Sequence, residues 1–197
     1  QPNIAVKAPV FSFSKLTGVD INLGPEMKST GEILGIDTDF SRALYKAMVA
    51  SGIDVPAGGK DAALLVTLAD RDKEEGLPII QNFATLGFRL FATAGTAAFL
   101  SQHGLAVTSV KKISEGSPNL VDLIRGGQLA LLINTVSQNK QIEKEASLIR
   151  RASVEHSLPC LTSLDTARAL HTALATRRAG ETFEVVTIDQ YVTYRAK

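Results

Sequence analysis

The sequence predicts an α/β fold with a mostly parallel sheet, preceded by a short strand-loop-helix segment. Two observations predict it. From about residue 60 onward, apolar runs of strand length alternate with stretches of helical periodicity. Strands alternating with helices imply a mostly parallel sheet covered on both faces. Small and hydroxyl residues gather where strand hands over to helix, most clearly in FATAGT at 91 to 96.

The elements follow in order. IAVKAPVFSF alternates like an edge strand, with Pro9 barring a fully paired central position. LGPEMKSTGE reads as a polar loop. DTDFSRALYKAMVASG then places Phe40, Ala43, Leu44, Ala47 and Met48 at helical spacing behind Asp37 to Asp39 as cap candidates. GIDVPAGGK at 52 to 60 supplies turn residues and divides the chain into residues 1–58 and 59–197. The first part is too small to enclose a core alone. Beyond it, strands are expected at 62–69, 88–94, 105–113, 129–136 and 158–163. Helices are expected around Leu77, Ile80 and Ala84, around Ile142, Ala146 and Ile149, and around Ala167, Leu170 and Leu174. Such alternation implies right-handed crossovers between parallel strands. FEVVTIDQYV, near the end, offers a further strand.

Composition narrows the function. The 197 residues carry a net charge of +1 with both signs interspersed, so no nucleic-acid-binding surface is expected. No apolar run approaches the ~20 residues that cross a bilayer, so no membrane partner is expected. The single cysteine, Cys160, excludes an internal disulfide framework and suits a cytoplasmic setting. The opening QPNIAVKAP has neither an initiator methionine nor a signal-peptide pattern, and reads as a segment of a longer chain.

In an open parallel sheet, ligands collect beyond the carboxyl ends of the strands. Those ends supply Thr67 and the loop Ala69 to Lys73, then Thr93, Gly95 and Thr96, then Lys111 and Lys112. Asn134, Thr135 and Ser137 follow, then Thr162 and Ser163. Hydroxyls, an amide, lysines and a glycine-opened helix start suit a phosphate, because backbone N–H groups and the helix dipole attract an anion there. The plainer readings stay open beside this one: threonines at strand ends also cap helices, and lysines also serve as solvated surface charge. His103, His156 and His171 have no partners at metal-ligand spacing, and Cys160 reads as a small buried residue. Asp70 and Asp72 offer an acid and a base, but on a solvated loop. Neither a Walker A sequence nor G-x-G-x-x-G after a strand is present.

The segments VKAPVFSFSKLTGVDINLGPEMKSTGE, FATAGTA, VKKISEG, LLINTVS and IRRASVEHSLPCLTS, in this order, resemble the C-terminal end of the large subunit of carbamoyl phosphate synthetase. The resemblance makes residues 1–58 the tail of the second ATP-grasp half. It makes residues 59–197 a doubly wound, methylglyoxal-synthase-like allosteric domain. It implies effectors such as UMP, IMP or phosphoribosyl pyrophosphate, bound by Thr67, Lys73, Thr93, Gly95, Thr96, Lys112 and Asn134, with Thr162 matching a contact for ornithine. Two departures bear on the effector. Val136 replaces a threonine that touches nucleotide in some members, and Ala8 replaces a glutamate that would pair with an ammonium.

The resemblance implies no catalytic residue and no cofactor in this piece. The parent would be a ligase using ATP with Mg²⁺ or Mn²⁺, glutamine or ammonia, and bicarbonate, in pyrimidine or arginine biosynthesis. The partners implied are the nucleotide effector, the rest of the large subunit and the glutaminase small subunit, with oligomerisation open. Two alternatives remain. One is an enzyme like methylglyoxal synthase, against which stand ADRDK, SEGSPN and INTVSQ where such enzymes carry an HD-containing loop, Gly-Gly-Asp and an FFWDP-type segment. The other is a purely structural or oligomerisation domain.

Overall fold

The structure is a computed structural model that describes residues 3–13, 21, 23, 25–59, 61–135, 140–178, 187 and 189. Five parallel strands form the central sheet in the order β5-β4-β3-β6-β7, where β3 is Ala63–Thr67, β4 Arg89–Thr93, β5 Val107–Val110, β6 Leu131–Asn134 and β7 Cys160–Leu161. Each expected strand is present, shortened at its ends. The FEVVTIDQYV segment, apart from residues 187 and 189, lies outside the described residues. From β3 the chain moves outward to β4 and β5, then returns across β3 to β6 and β7. The winding direction therefore reverses between β3 and β6, and a crevice opens at such a point beyond the strand ends.

Residue alternation on these strands builds two cores. Leu64 and Val66 of β3, with Leu131 and Ile133 of β6, face one side. They pack there against Ile79, Ile80 and Phe83 of α2 (Lys73–Thr85), Leu100 of α3 (Ala94–Gln102), and Leu170 and Leu174 of α6 (Leu164–Arg178). Leu65 and Leu132 point the other way, into Leu120 and Ile124 of α4 (Leu120–Arg125) and Ile149 and Ala152 of α5 (Lys140–Glu155). With both faces covered, a polar side chain on β3 or β6 has room only at a strand end.

The amino-terminal part departs from the expected strand-loop-helix. Residues 29 to 32, read as loop, begin strand β2 (Ser29–Asp37), which pairs antiparallel with β1 (Ile4–Phe11). Pairing with β1 holds Ser29, Gly31 and Glu32 in the strand despite its polar side chains, and Thr30 falls at a register shift. Pro9 sits in this two-stranded unit opposite Glu32. α1 (Phe40–Ala50) starts at Asp39, whose carboxylate accepts from the Arg42 N–H at 3.1 Å. It lies so close to β2 that a Cβ on Gly35 would stand 2.2 Å from the Ala43 carbonyl oxygen.

Asp37 ties the two together, accepting from Arg42 Nε and Lys46 Nζ, each at 2.9 Å. Burial would raise its carboxyl, but the bonds from Lys46 and the Thr38 N–H, with the Lys46 and Arg42 charges, hold it below the usual range. Tyr45 and Met48 of α1 join the core beside α6, where Arg177 donates to the Tyr45 hydroxyl at 2.5 Å. Phe40, expected on the buried stripe, is instead 53% exposed, because it occupies the first position of the helix. Among the described residues no helix is long and apolar enough to cross a membrane.

Candidate functional site

Beyond the carboxyl ends of β4, β3 and β6 lies a cavity of about 390 Å³. Thr67, Lys73, Thr93, Gly95, Thr96, Lys112 and Asn134 all line it. Thr162 does not. It follows β7, the outermost strand on that side, whereas the cavity is centred on the reversal between β3 and β6.

Each lining residue has a local reason for its place. Thr67 and Asn134 are opposite each other at the last register position of β3 and β6, and the Asn134 Nδ2 donates to Thr67 Oγ1 at 2.6 Å. Thr93 ends β4 and precedes α3 in extended conformation, yet its hydroxyl caps no helix N–H. Gly95 lies in the exposed first turn of α3, and a Cβ there would come within 3.8 Å of the Lys73 ammonium. Thr96, one residue on, turns its oxygen to the Leu68 N–H at 3.3 Å. Thr135 does the same for the Ala69 N–H at 2.8 Å. The two threonines thereby brace the loop that leaves β3.

Charge at the rim is mixed. Lys73 pairs with Asp70 at 2.7 Å, and this hydrogen bond, followed by the Lys73 charge, holds the Asp70 carboxyl below its ordinary range. Lys112 is exposed at the start of a 3₁₀ turn, while Lys111 beside it does not line the cavity. Glu145 of α5 closes another side and accepts from the Ser114 N–H at 3.0 Å. Leu120, Ala146 and Ile149 add an apolar patch. The cavity thus offers cations, hydroxyls and a helix start to an anion, and apolar surface to an organic group.

Sequence reading passed over Arg150, Glu143 and Glu145. Arg150 is completely buried, and its guanidinium donates to Asn134 Oδ1 at 3.1 Å and to Glu143 Oε1 at 2.5 Å. Its signal was present in the helical period: Arg150 and Ser153 fall on the same buried face as Ala146 and Ile149. Its neighbour Arg151 is half exposed and pairs with Glu155 at 2.9 Å.

The remaining candidates lie elsewhere. His171 on α6 meets the Phe83 ring edge-on, and burial lowers its pKa. His103 bonds the Phe99 carbonyl through Nδ1 at 2.8 Å. Cys160 is partly buried on β7. Among the described residues, no three His, Cys, Asp or Glu side chains come together as a metal site.

Residues 75–162 match the family model of the MGS-like domain. The matched span includes Thr93, Gly95, Thr96, Lys112 and Asn134, whereas Thr67 and Lys73 precede it. The chain has the expected α/β fold with a five-stranded parallel sheet. A crystal structure of methylglyoxal synthase from Elizabethkingia anophelis NUHP1 is similar at 18% identity and a TM-score of 0.44, covering 70% of this chain and 92% of that chain.

Proposed function

We propose that the chain is the allosteric region of a carbamoyl phosphate synthetase large subunit, a reading supported by the match of residues 75–162 to the MGS-like domain model. Its cavity takes a phosphate-bearing effector of the UMP, IMP or phosphoribosyl pyrophosphate type. The effector tunes ATP-dependent synthesis of carbamoyl phosphate from glutamine or ammonia and bicarbonate in the cytoplasm. The observation that carries this reading is the convergence of Thr67, Lys73, Thr93, Gly95, Thr96, Lys112 and Asn134 on one cavity. Residues from four separate chain segments would have no reason to meet there as helix caps or surface charges alone. The two carboxylates at the rim are engaged by Lys73 and by the Ser114 N–H, which favours a binding role for the cavity over proton abstraction.

In this proposal ATP and its Mg²⁺ or Mn²⁺ act elsewhere in the parent chain, and no step here runs through them. The partners are the rest of the large subunit and the glutaminase subunit. A ligand far from the ATP chemistry acts by binding two conformations of the parent unequally, typically with about 1 to 3 kcal/mol of coupling. α1 is the proposed route, since it packs on both the β1–β2 hairpin and α6.

Calorimetric titration with UMP, IMP and phosphoribosyl pyrophosphate tests the reading. At least one should bind, and Lys112→Ala should weaken it by about 1.5 to 3 kcal/mol, the range for a hydrogen bond to a charged group. Failure of all three to bind would leave a structural domain. Release of methylglyoxal from dihydroxyacetone phosphate would instead establish an enzyme.

A further inference from the structure

Behind the cavity wall, Glu143, Arg150, Asn134 and Thr67 form a chain of hydrogen bonds running from α5 through β6 to β3. Its direction follows from one chemical fact. A guanidinium has only donors, so the Asn134 atom 3.1 Å from Arg150 must be the carbonyl oxygen. The atom facing Thr67 at 2.6 Å is then the amide nitrogen, and the Thr67 oxygen accepts from it. The Thr67 hydroxyl proton is left uncommitted among the described residues.

Were the amide reversed, its oxygen would take the Thr67 proton, and Thr67 would turn lone pairs toward the cavity. The same logic covers Thr96 and Thr135, whose oxygens accept from the Leu68 and Ala69 N–H groups. There, however, backbone does the fixing. Only at Thr67 does a side chain that could point either way stand between the hydroxyl and its support.

We propose that Arg150 is a positioning residue that sets the hydrogen-bond polarity of the cavity, holding Asn134 so that the Thr67 hydroxyl donates to an anionic oxygen of the ligand. This rests on the reading of the cavity as a phosphate site. Arg150 does not line the cavity. Its effect on binding passes through Asn134 and Thr67, and it accounts for a fully buried guanidinium behind a cavity built for an anion. Glu143 completes the arrangement by pairing the buried charge, which would otherwise be costly.

The test couples a spectroscopic and a binding measurement on the 197-residue protein. In asparagine-¹⁵N-labelled wild type, the Asn134 side-chain N–H protons should show an NOE to the Thr67 methyl. Thr67→Val should raise the Kd for UMP and for inorganic phosphate by about tenfold or more, the loss of one hydrogen bond to a charged group. In an Arg150→Gln background, whose amide can meet Asn134 with either end, the same Thr67→Val change should cost no more than about twofold. The NOE should also weaken there. Arg150→Lys, which keeps a donor-only head, should restore both. An equal Thr67→Val penalty in the wild-type and Arg150→Gln backgrounds would overturn the proposal. So would absence of the NOE in wild type, which needs no variant to fold. Wild-type protein that binds neither UMP nor phosphate would sink the effector reading, while the NOE alone would still decide the orientation of Asn134.

Discussion

The parallel sheet and the β1–β2 hairpin solve the same problem under opposite constraints. Leu64, Leu65, Val66, Leu131, Leu132 and Ile133 are all fully buried, because helices cover both faces of the sheet. Among the described residues the hairpin is covered by α1 on one side only, and its other side carries Leu34 and the ion pair Lys7–Glu32 at 2.7 Å, each of whose side chains is 65% exposed. A sheet buried twice admits polar groups only at strand ends, so its chemistry concentrates there. The hairpin spreads polar and apolar side chains along its length and, among the described residues, gathers no comparable constellation.

The difference predicts a graded response to substitution. The largest effect should come from Phe83→Ala, beneath the sheet. That ring is fully buried, edge-on to Phe88 at 5.4 Å and to His171 at 5.6 Å. Its loss should lower stability by about 3 to 5 kcal/mol in urea denaturation, through lost transfer energy and the cavity left behind. A loss below ~1 kcal/mol would mean that this core is far looser than its burial implies.

Gly35→Ala should cost less, about 1 to 3 kcal/mol, because the added methyl forces β2 away from the α1 backbone. Hydrogen exchange should quicken in β1, β2 and α1 while β3 and β6 keep their protection. Equal loss of protection in both regions would show that hairpin and sheet open together, erasing the distinction. Smallest of all should be Lys7→Ala. An exposed ion pair contributes no more than about 1 kcal/mol, so the urea midpoint should scarcely move. A shift as large as that of Gly35→Ala would show that the side of the hairpin carrying Lys7 is covered in solution.

Legibility in the sequence followed the same divide. The apolar runs of β3 and β6 were readable as strands because they are buried over almost their whole length, and those of β4, β5 and β7 because they are short apolar segments set between helical patterns. α2, α5 and α6 were readable because one apolar stripe repeats at helical period. β2 was not, since Ser29 to Glu32 owe their strand conformation to pairing with β1 and carry no apolar signal. Thr67, Thr93, Thr96 and Asn134 could be found by asking what stands at each strand end. Thr162 satisfied the same rule and fell outside the cavity, because strand order is invisible in a linear pattern.

By itself, then, the sequence determined the five strands of the parallel sheet, most of the helices between them, and the set of hydroxyl, amide and lysine side chains available at one edge. These depend on local periodicity and on the burial that periodicity demands. The strand order that put β3 beside β6, the exclusion of Thr162 and the inward turn of Arg150 toward Asn134 were decided only by the tertiary structure. Each of them joins residues far apart in the chain, and which partners meet across such distances is settled by how the helices cover the sheet.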